Sequence, residues 1–279
     1  MGRVLLVGKD RRPLDSLRGD PQLAGHSIDA CDGPLEAVRH VRSHAVDVVV
    51  SDPTTSIHED LPFVDELRSV RPGVRIIVLA PSLTDQDVVR ALRAQVFAVF
   101  TAPFDWNEVV DMLRSALAAP AWQRGIEVVS GLPQWLTLRV SCGLVTADRL
   151  TRFMTEWRSD LPSGERDLLM TAFREMLLNA MEHGAGFDPD KVIEVSAART
   201  ARAIVFHFRD PGDGFDTTDL QHAAASNEAD SVLAATLHRA ETGLRPGGFG
   251  MLIVRQVVDE LVYNEKGNEV LMIKHLDKK

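Results

Sequence analysis

The first 120 residues alternate short apolar runs with amphipathic stretches. The apolar runs are rich in β-branched residues, which is typical of buried strands, and they cover Val4–Val7, Val46–Val50, Val74–Leu79 and Val96–Phe100. Between these runs the spacing of apolar positions predicts helices over Pro34–Arg42, Leu61–Val70, Asp85–Ala94 and Trp106–Ala118. Buried strands that alternate with helices are typical of a parallel sheet covered on both faces. We therefore predict a doubly wound α/β domain over residues 1–120.

The second half has a less regular order of elements. Helix signals stop in a stretch that contains Pro120, Gly125 and Gly131, so residues 121–132 are interpreted as a linker. The later pattern predicts strands over Leu136–Val140, Val192–Ala197, Ala203–Phe208, Leu261–Tyr263 and Glu269–His275. It also predicts three helices: one over Thr146–Trp157, a long one that follows an N-cap at Ser163, and one over Met251–Glu260. This order predicts an α/β sandwich over residues 133–279, with helices on one face of a mixed sheet.

Composition and charge exclude several classes of protein. The 279 residues are 45% hydrophobic and 25% charged, as in ordinary globular domains. The net charge is −9 and both halves are acidic, which argues against a direct nucleic-acid partner. No apolar run is long enough to cross a membrane, so we expect no membrane association and a cytoplasmic location. Cys31 and Cys142 lie far apart, which predicts two buried thiols rather than a metal site or a disulfide framework.

Three segments of the second half carry residues with specific chemistry, and the first lies on the predicted long helix. Its sequence is EMLLNAMEHG, residues 175–184. Glu175, Asn179 and His183 are four residues apart, so the helical period places them on nearly the same face, beside the apolar stripe. An amide oxygen can ligate a Mg²⁺ ion that carries nucleotide phosphates, and a carboxylate can deprotonate a nucleophile. Taken alone, the segment is also typical of a solvated helix edge.

The second segment, DPGDGF at residues 210–215, follows a predicted strand. Gly212 and Gly214 let the backbone approach a planar ligand closely, and the carboxylate of Asp210 can accept a hydrogen bond from an exocyclic amine such as that of adenine. Taken alone, it is also typical of a polar turn.

The third segment, GLRPGGFG at residues 243–250, precedes a predicted helix that begins at Met251. The N–H groups at the start of a helix attract anions, which suits a triphosphate. The spacing of its glycines matches neither the P-loop nor the dinucleotide-binding motif, so those two site types are excluded.

Together and in this order, the three segments resemble the N box and the two glycine boxes of the GHKL ATPase superfamily. The closing sequence GGFGMLIVRQVVDELVYNEKGNEVLMIKHL is similar to that of the anti-sigma factor serine kinases of the RsbW type. The resemblance implies ATP and Mg²⁺ as cofactors, Glu175 as the general base and Asn179 as the Mg²⁺ ligand. The nucleotide-binding set that it implies is Asn179, His183, Asp210, Gly212, Gly214, Phe215, Gly243, Gly247, Gly248, Phe249 and Gly250. For His183 two roles stay open, contact with the nucleotide and capping of the helix.

The first half resembles a CheY-like response-regulator receiver domain, on the motifs VVVSDP and TAPF. The resemblance implies a flavodoxin-like fold and places Asp52 at the position of the phosphorylated aspartate. Gly8 and Lys9 stand where the family has an acidic pair for Mg²⁺, Ala80 replaces its hydroxyl and Ala102 its lysine. We therefore expect a degenerate receiver. Two interpretations stay open, one with Asp52 as a phosphoacceptor and one in which the domain only binds a partner or dimerises.

The two resemblances imply a signalling protein. The leading hypothesis is an ATP-dependent serine/threonine protein kinase of the anti-sigma factor type, under the control of the receiver-like domain. Its expected partners are a STAS-domain anti-anti-sigma-like protein and a sigma factor, and a homodimer is a candidate assembly. The alternative is a nucleotide-gated protein-binding switch without kinase turnover. The presence of Glu175 favours the kinase, because a protein that only binds ATP would tolerate its loss.

Overall fold

The computed structural model describes residues 2–10, 12–51, 57–119, 125–157, 161–214 and 250–276. The chain divides into two compact units. The first unit comprises Met1–Glu127 together with Asp148–Arg158, and the second comprises Val128–Ala147 together with Ser159–Lys279. The α/β class expected from the sequence is confirmed for both.

The first unit is built on a parallel five-stranded sheet with the strand order β2-β1-β3-β4-β5. Its strands are β1 (Arg3–Val7), β2 (Ser27–Cys31), β3 (Val48–Val50), β4 (Arg75–Ala80) and β5 (Ala98–Thr101). Its helices are α1 (Arg12–Gly19), α2 (Pro34–Ser43), α3 (Ile57–Val70), α4 (Asp85–Arg93) and α5 (Trp106–Ala118). This strand order is that of the flavodoxin-like doubly wound folds, in which function lies at the carboxyl ends of the strands.

The apolar runs of the first half predict four of these five strands, and the exception is β2. In its sequence SIDAC only Ile28 and Cys31 are buried, because β2 lies at the edge of the sheet. An edge strand is half exposed, so it lacks the continuous apolar run that marks the central strands. α1 was also missing from the predicted helices.

Part of helix α6 (Leu144–Trp157) completes the first unit. Arg149 is 5% exposed, lies 4.3 Å from the ring centre of Phe97, and donates from Nε to the Phe97 carbonyl at 3.0 Å. Burial lowers the pKa of Arg149 to about 10, so its guanidinium stays charged at neutral pH. Seven residues further, about two helical turns, the buried carboxylate of Glu156 accepts a hydrogen bond from Thr101 Oγ1 at 2.7 Å and pairs with Arg152. These contacts explain why the helix belongs to the first unit from Asp148 onwards.

The second unit contains a six-stranded sheet with the order β10-β11-β9-β8-β7-β6. The strands are β6 (Ile126–Leu132), β7 (Trp135–Ser141), β8 (Val192–Arg199), β9 (Ala203–Arg209), β10 (Glu260–Tyr263) and β11 (Glu269–His275). The pairs β7–β8, β8–β9, β9–β11 and β11–β10 are all antiparallel. The sequence had suggested a mixed sheet. β6 lies within the segment interpreted as a linker. Its polar and exposed positions, with only Ile126 and Gly131 buried, concealed the strand.

Helix α7 (Ser163–Asn179) packs against this sheet and against helix α8 (Gly250–Val257). Phe173 of α7 contacts Phe206 and Phe208 of β9, with ring centres 4.9 and 5.2 Å apart. Ser163 is not the N-cap that the sequence suggested. It is the first helical residue, and Pro162 precedes it without a side-chain cap.

The long helix does not continue as an α-helix to its end, because residues Ala180–Gly184 form a turn of π-helix. Such turns insert a residue into the helical repeat and occur frequently at functional sites. The strict four-residue spacing assumed for Glu175, Asn179 and His183 therefore holds only as far as Asn179.

Both cysteines are free and buried, as expected from the sequence. Burial, with a smaller contribution from Asp188, raises the pKa of Cys142 to about 11, so this thiol is protonated and unreactive at neutral pH. Across the described residues, the helices lack the length and apolarity that a membrane span requires.

Candidate functional site

One large cavity in the second unit brings together residues from the three chemically specific segments. Its volume is about 800 Å³, within the range of small-molecule sites. The predicted site residues that line it are Glu175, Asn179, His183, Asp210, Gly212, Gly214 and Gly250. The other predicted residues, Phe215, Gly243, Gly247, Gly248 and Phe249, lie outside the described residues, as does Asp52 of the first unit.

One wall of the cavity is the end of α7 with the π-helical turn. Glu175 and Asn179 are half-buried, and His183 is exposed at the far end of this wall. The side chain of Glu175 reaches the first residue of α8, because a Cβ atom added to Gly250 would overlap its Oε2. The carboxylate therefore stands at the N-terminus of a helix, where N–H groups and the helix dipole favour anions.

A second wall of the cavity is the loop that follows β9, which contributes the side chain of Asp210. Asp210 Oδ1 accepts a hydrogen bond from the backbone N–H of Gly212 at 2.8 Å. Burial raises the pKa of Asp210, whereas the Gly212 N–H, Lys266 and His183 act in the opposite direction. On acidification the carboxylate is therefore lost at a higher pH than that of a fully exposed aspartate.

The hairpin between β10 and β11 holds this loop, through residues that sequence reasoning missed. Asn268 is buried, donates from Nδ2 to the Asp210 carbonyl at 3.2 Å, and accepts the Asp210 N–H at its own carbonyl at 3.0 Å. Asn264 in turn accepts the Asn268 N–H at 3.1 Å. Lys266 Nζ donates to the Gly212 carbonyl at 3.0 Å. The Lys266-Gly267-Asn268 turn signal was visible in the sequence, but its contact with a loop over 50 residues away was not.

Glycines occupy positions in this site where a side chain would collide. A Cβ atom on Gly184 would overlap the carboxyl group of Asp210, and one on Gly214 would overlap the Lys266 carbonyl. Gly214 also has φ +80°, a conformation that favours glycine. The backbone of Gly184 in the first wall therefore packs against the side chain of Asp210 in the second, which holds Asp210 at the cavity.

Residues 144–274 match the protein-family model described as histidine kinase-like ATPase domain. The second half thus carries a histidine kinase-like ATPase domain. With the strand order of the first unit, the chain combines a receiver-like domain with this ATPase domain, as expected from the sequence. The match makes ATP the ligand to consider for the 800 Å³ cavity of the ATPase domain.

Further similarities are to response regulators. A two-component response regulator from Clostridium difficile is 19% identical, with a TM-score of 0.38, over 42% of this chain and 96% of that one. A response regulator from Thermotoga maritima is 15% identical, with a TM-score of 0.39, over 43% and 99%. The transcriptional regulatory protein GlrR of Escherichia coli K12 is 28% identical over 135 residues, which are 46% of this chain and 30% of GlrR. The chain thus matches less than a third of the length of this curated relative.

The residues of the receiver-like unit that depart from the receiver pattern lie at the carboxyl ends of its strands. Gly8 and Lys9 follow β1, the buried Ala80 ends β4, and Ala102 follows β5. Within the described ranges, no group of three or more His, Cys, Asp or Glu residues is arranged to hold a metal ion.

Replacing Gly184 by alanine is expected to weaken ATP binding at least tenfold, because the added methyl group displaces the carboxyl group of Asp210. Isothermal titration calorimetry measures the effect. Gly164→Ala is the matched control, since a Cβ atom at this exposed position of α7 meets no atom within 4 Å. Equal ATP affinities for Gly184→Ala and the parent chain would show that Asp210 does not take part in ATP binding.

Proposed function

We propose that this chain is an ATP-dependent serine/threonine protein kinase of the anti-sigma factor type. The observation that carries the proposal is the position of Glu175, whose carboxylate lies at the N-terminus of α8 in the same cavity as Asp210. A phosphate bound at that helix terminus would lie next to a carboxylate that can accept a proton. A protein that binds ATP without transferring its phosphate does not need a proton acceptor at this position.

Each wall of the cavity has a role in binding ATP. The Asp210 carboxylate accepts a hydrogen bond from the adenine amino group, and Gly212 and Gly214 let the base approach the backbone. The phosphates extend towards the N–H groups of α8. The amide oxygen of Asn179 is a suitable ligand for Mg²⁺, which neutralises phosphate charge when bound.

The transfer step uses Glu175 as the proton acceptor. A serine or threonine hydroxyl of the partner gives its proton to the Glu175 carboxylate as its oxygen forms a bond to the γ-phosphorus. The bond from that phosphorus to the β,γ-bridging oxygen breaks, and ADP leaves with the electron pair. Positioning and electrostatic stabilisation provide most of the catalysis in such reactions.

The partner proposed for this reaction is a STAS-domain protein of the anti-anti-sigma type, and a sigma factor is the proposed second partner. The receiver-like unit is proposed to control the exchange between them in the cytoplasm. The two partners are proposed from the sequence resemblance of the ATPase domain to the RsbW-type kinases, and the family match over residues 144–274 is consistent with that resemblance. The control is proposed from the resemblance of the first half to receiver domains.

The second candidate is a nucleotide-gated switch that binds its partner without transferring phosphate. It needs the same ATP cavity but has no use for a carboxylate at the start of α8. The two candidates therefore differ in a single measurable event, the appearance of phosphate on the partner.

The deciding experiment incubates the full chain with γ-labelled ATP, Mg²⁺ and STAS-domain proteins encoded in the same genome. The kinase predicts ATP-dependent labelling of a serine or threonine, located by mass spectrometry. A matched reaction without Mg²⁺ is the control. ATP-dependent binding of a STAS protein with no label after many equivalents of ATP would establish the switch instead.

A further inference from the structure

The loop between β10 and β11 is closed by the side chain of Asn264. Its Oδ1 accepts hydrogen bonds from the backbone N–H groups of Asn268 and Glu269, each at 3.1 Å. The backbone N–H of Asn264 also donates to the Glu269 carbonyl at 3.1 Å. Gly267 has φ +77°, a conformation that favours glycine and lets the chain turn between the two asparagines. The side chain of Asn264 therefore defines the shape of this loop.

The bonds of Asn264 also determine how the amide of Asn268 is oriented. Because the side-chain oxygen of Asn264 faces two N–H donors, its Nδ2 is the atom that faces Asn268, and it donates to Asn268 Oδ1 at 3.0 Å. The oxygen of the Asn268 amide is thereby engaged, and its Nδ2 donates to the Asp210 carbonyl at 3.2 Å. The donor that reaches Asp210 is thus fixed by a chain of hydrogen bonds that begins at Asn264.

Asp210 is held on both sides of its backbone and at one oxygen of its carboxylate. Its N–H donates to the Asn268 carbonyl at 3.0 Å, and its own carbonyl accepts from Asn268 Nδ2. Its Oδ1 accepts the Gly212 N–H at 2.8 Å and packs against Gly184. Among the bonds formed by the described residues, this arrangement leaves Oδ2 as the carboxylate oxygen available to a ligand. A carboxylate held in this way does not shift to suit a different base.

The two purine bases present different groups to such a carboxylate, which only accepts hydrogen bonds. Adenine offers an amino group at C6, whereas guanine has an oxygen at the same position. Guanine carries its donors at N1 and N2, so a carboxylate that is free to shift pairs with guanine instead. Rejection of guanine therefore requires that Asp210 stays in place.

We propose that Asn268, oriented by Asn264, is a positioning residue that makes the cavity select adenine over guanine nucleotides. It acts through Asp210, because it holds the backbone from which the carboxylate extends. The inference rests on the adenine contact of Asp210 in the proposed function, but not on the transfer of phosphate.

The experiment measures the affinity of the full chain for the β,γ-imido analogues of ATP and GTP with Mg²⁺, by isothermal titration calorimetry. The parent chain is expected to prefer the adenine analogue by at least about a hundredfold, because guanine leaves the Asp210 carboxylate unpaired. Asn268→Ala is expected to lower this ratio about tenfold or more, since Asp210 then shifts towards the guanine donors. Asn107→Ala, at an exposed position of α5, is the control and should keep the parent ratio.

Asn264→Asp is a second variant, which keeps the loop bonded. A carboxylate at this position still accepts the N–H groups of Asn268 and Glu269. It also attracts Nδ2 of Asn268, so the Asn268 amide turns over and its oxygen faces the Asp210 carbonyl. The same loss of discrimination is expected, and hydrogen exchange of the loop amides checks that the loop persists.

A double-mutant cycle tests the route through Asp210. In the Asp210→Ala background, Asn268→Ala is expected to leave the ratio unchanged, because the group that it positions is absent. A further fall of the ratio in that background would overturn the inference. So would equal falls in affinity for both analogues in Asn268→Ala, which a merely structural role predicts.

The parent chain supplies the remaining outcomes. A parent chain that binds both analogues equally, or neither of them, would overturn the inference. A parent chain that selects the adenine analogue, loses that selection in Asn268→Ala, and leaves its partners unlabelled by γ-labelled ATP would support the inference while contradicting the kinase.

Discussion

Replacing Asn179 by alanine abolishes Mg²⁺-dependent ATP binding, with an expected loss of at least about 3 kcal/mol, or a hundredfold in affinity. The reason is that the amide oxygen is the ligand proposed to hold Mg²⁺ against the phosphates. The fold should persist, because Asn179 is half-buried at the cavity wall rather than part of the apolar core. Calorimetry with and without Mg²⁺ separates the metal-dependent part of the affinity.

The control for this prediction is Asn107→Ala, which removes an exposed asparagine from α5 of the first unit. It should bind Mg·ATP like the parent chain. The same Mg²⁺-dependent affinity in Asn179→Ala would mean that the metal is held elsewhere, and the assignment of the cavity wall would have to be abandoned.

Replacing Glu175 by glutamine should leave ATP affinity within about threefold and lower phosphoryl transfer by about 10²–10⁴-fold. The amide preserves the shape of the side chain beside Gly250 but cannot accept the proton of the attacking hydroxyl. Single-turnover transfer to the STAS partner measures the chemical step, and calorimetry measures binding separately. The split between the two distinguishes a catalytic carboxylate from one that only supports the start of α8.

Glu165→Gln is the comparison variant, because Glu165 is exposed in the first turn of the same helix. It should transfer phosphate at the parent rate. If Glu175→Gln also did so, Glu175 would be structural, and the nucleotide-gated switch would become the better account of the cavity.

The sequence predicted those parts of the fold that carry a run of apolar residues or a clear helical period. β4 and α5 of the first unit and β11 of the second were located to within one residue, because each has a long apolar run or a clear helical period. β2 and β6 were missed, since both are edge strands with few buried positions. Edge strands depend on the neighbouring strand for their hydrogen bonds, which a local pattern does not reveal.

The same distinction applies to the candidate site. Glu175, Asn179 and Asp210 could be named from the sequence because each lies in a short, recognisable segment. The support of the Asp210 loop by Asn268 and Lys266 could not, because it joins segments far apart in the chain. The π-helical turn was also invisible, since the glycine that ends AMEHG is equally typical of the end of an ordinary α-helix.

The division of α6 between the two units determines the order in which the chain can fold during synthesis. Because Arg149 and Glu156 complete the first unit, that unit must wait for about 30 residues beyond its main segment to leave the ribosome. At about 5–20 residues per second this delay is roughly 2–6 s. During that interval the edge of the parallel sheet lacks two partners, Arg149 for Phe97 and Glu156 for Thr101. The strands β6 and β7 are synthesised in the same interval, before the other strands of their sheet. Translation speed across residues 128–158 is therefore a parameter on which the yield of folded protein should depend.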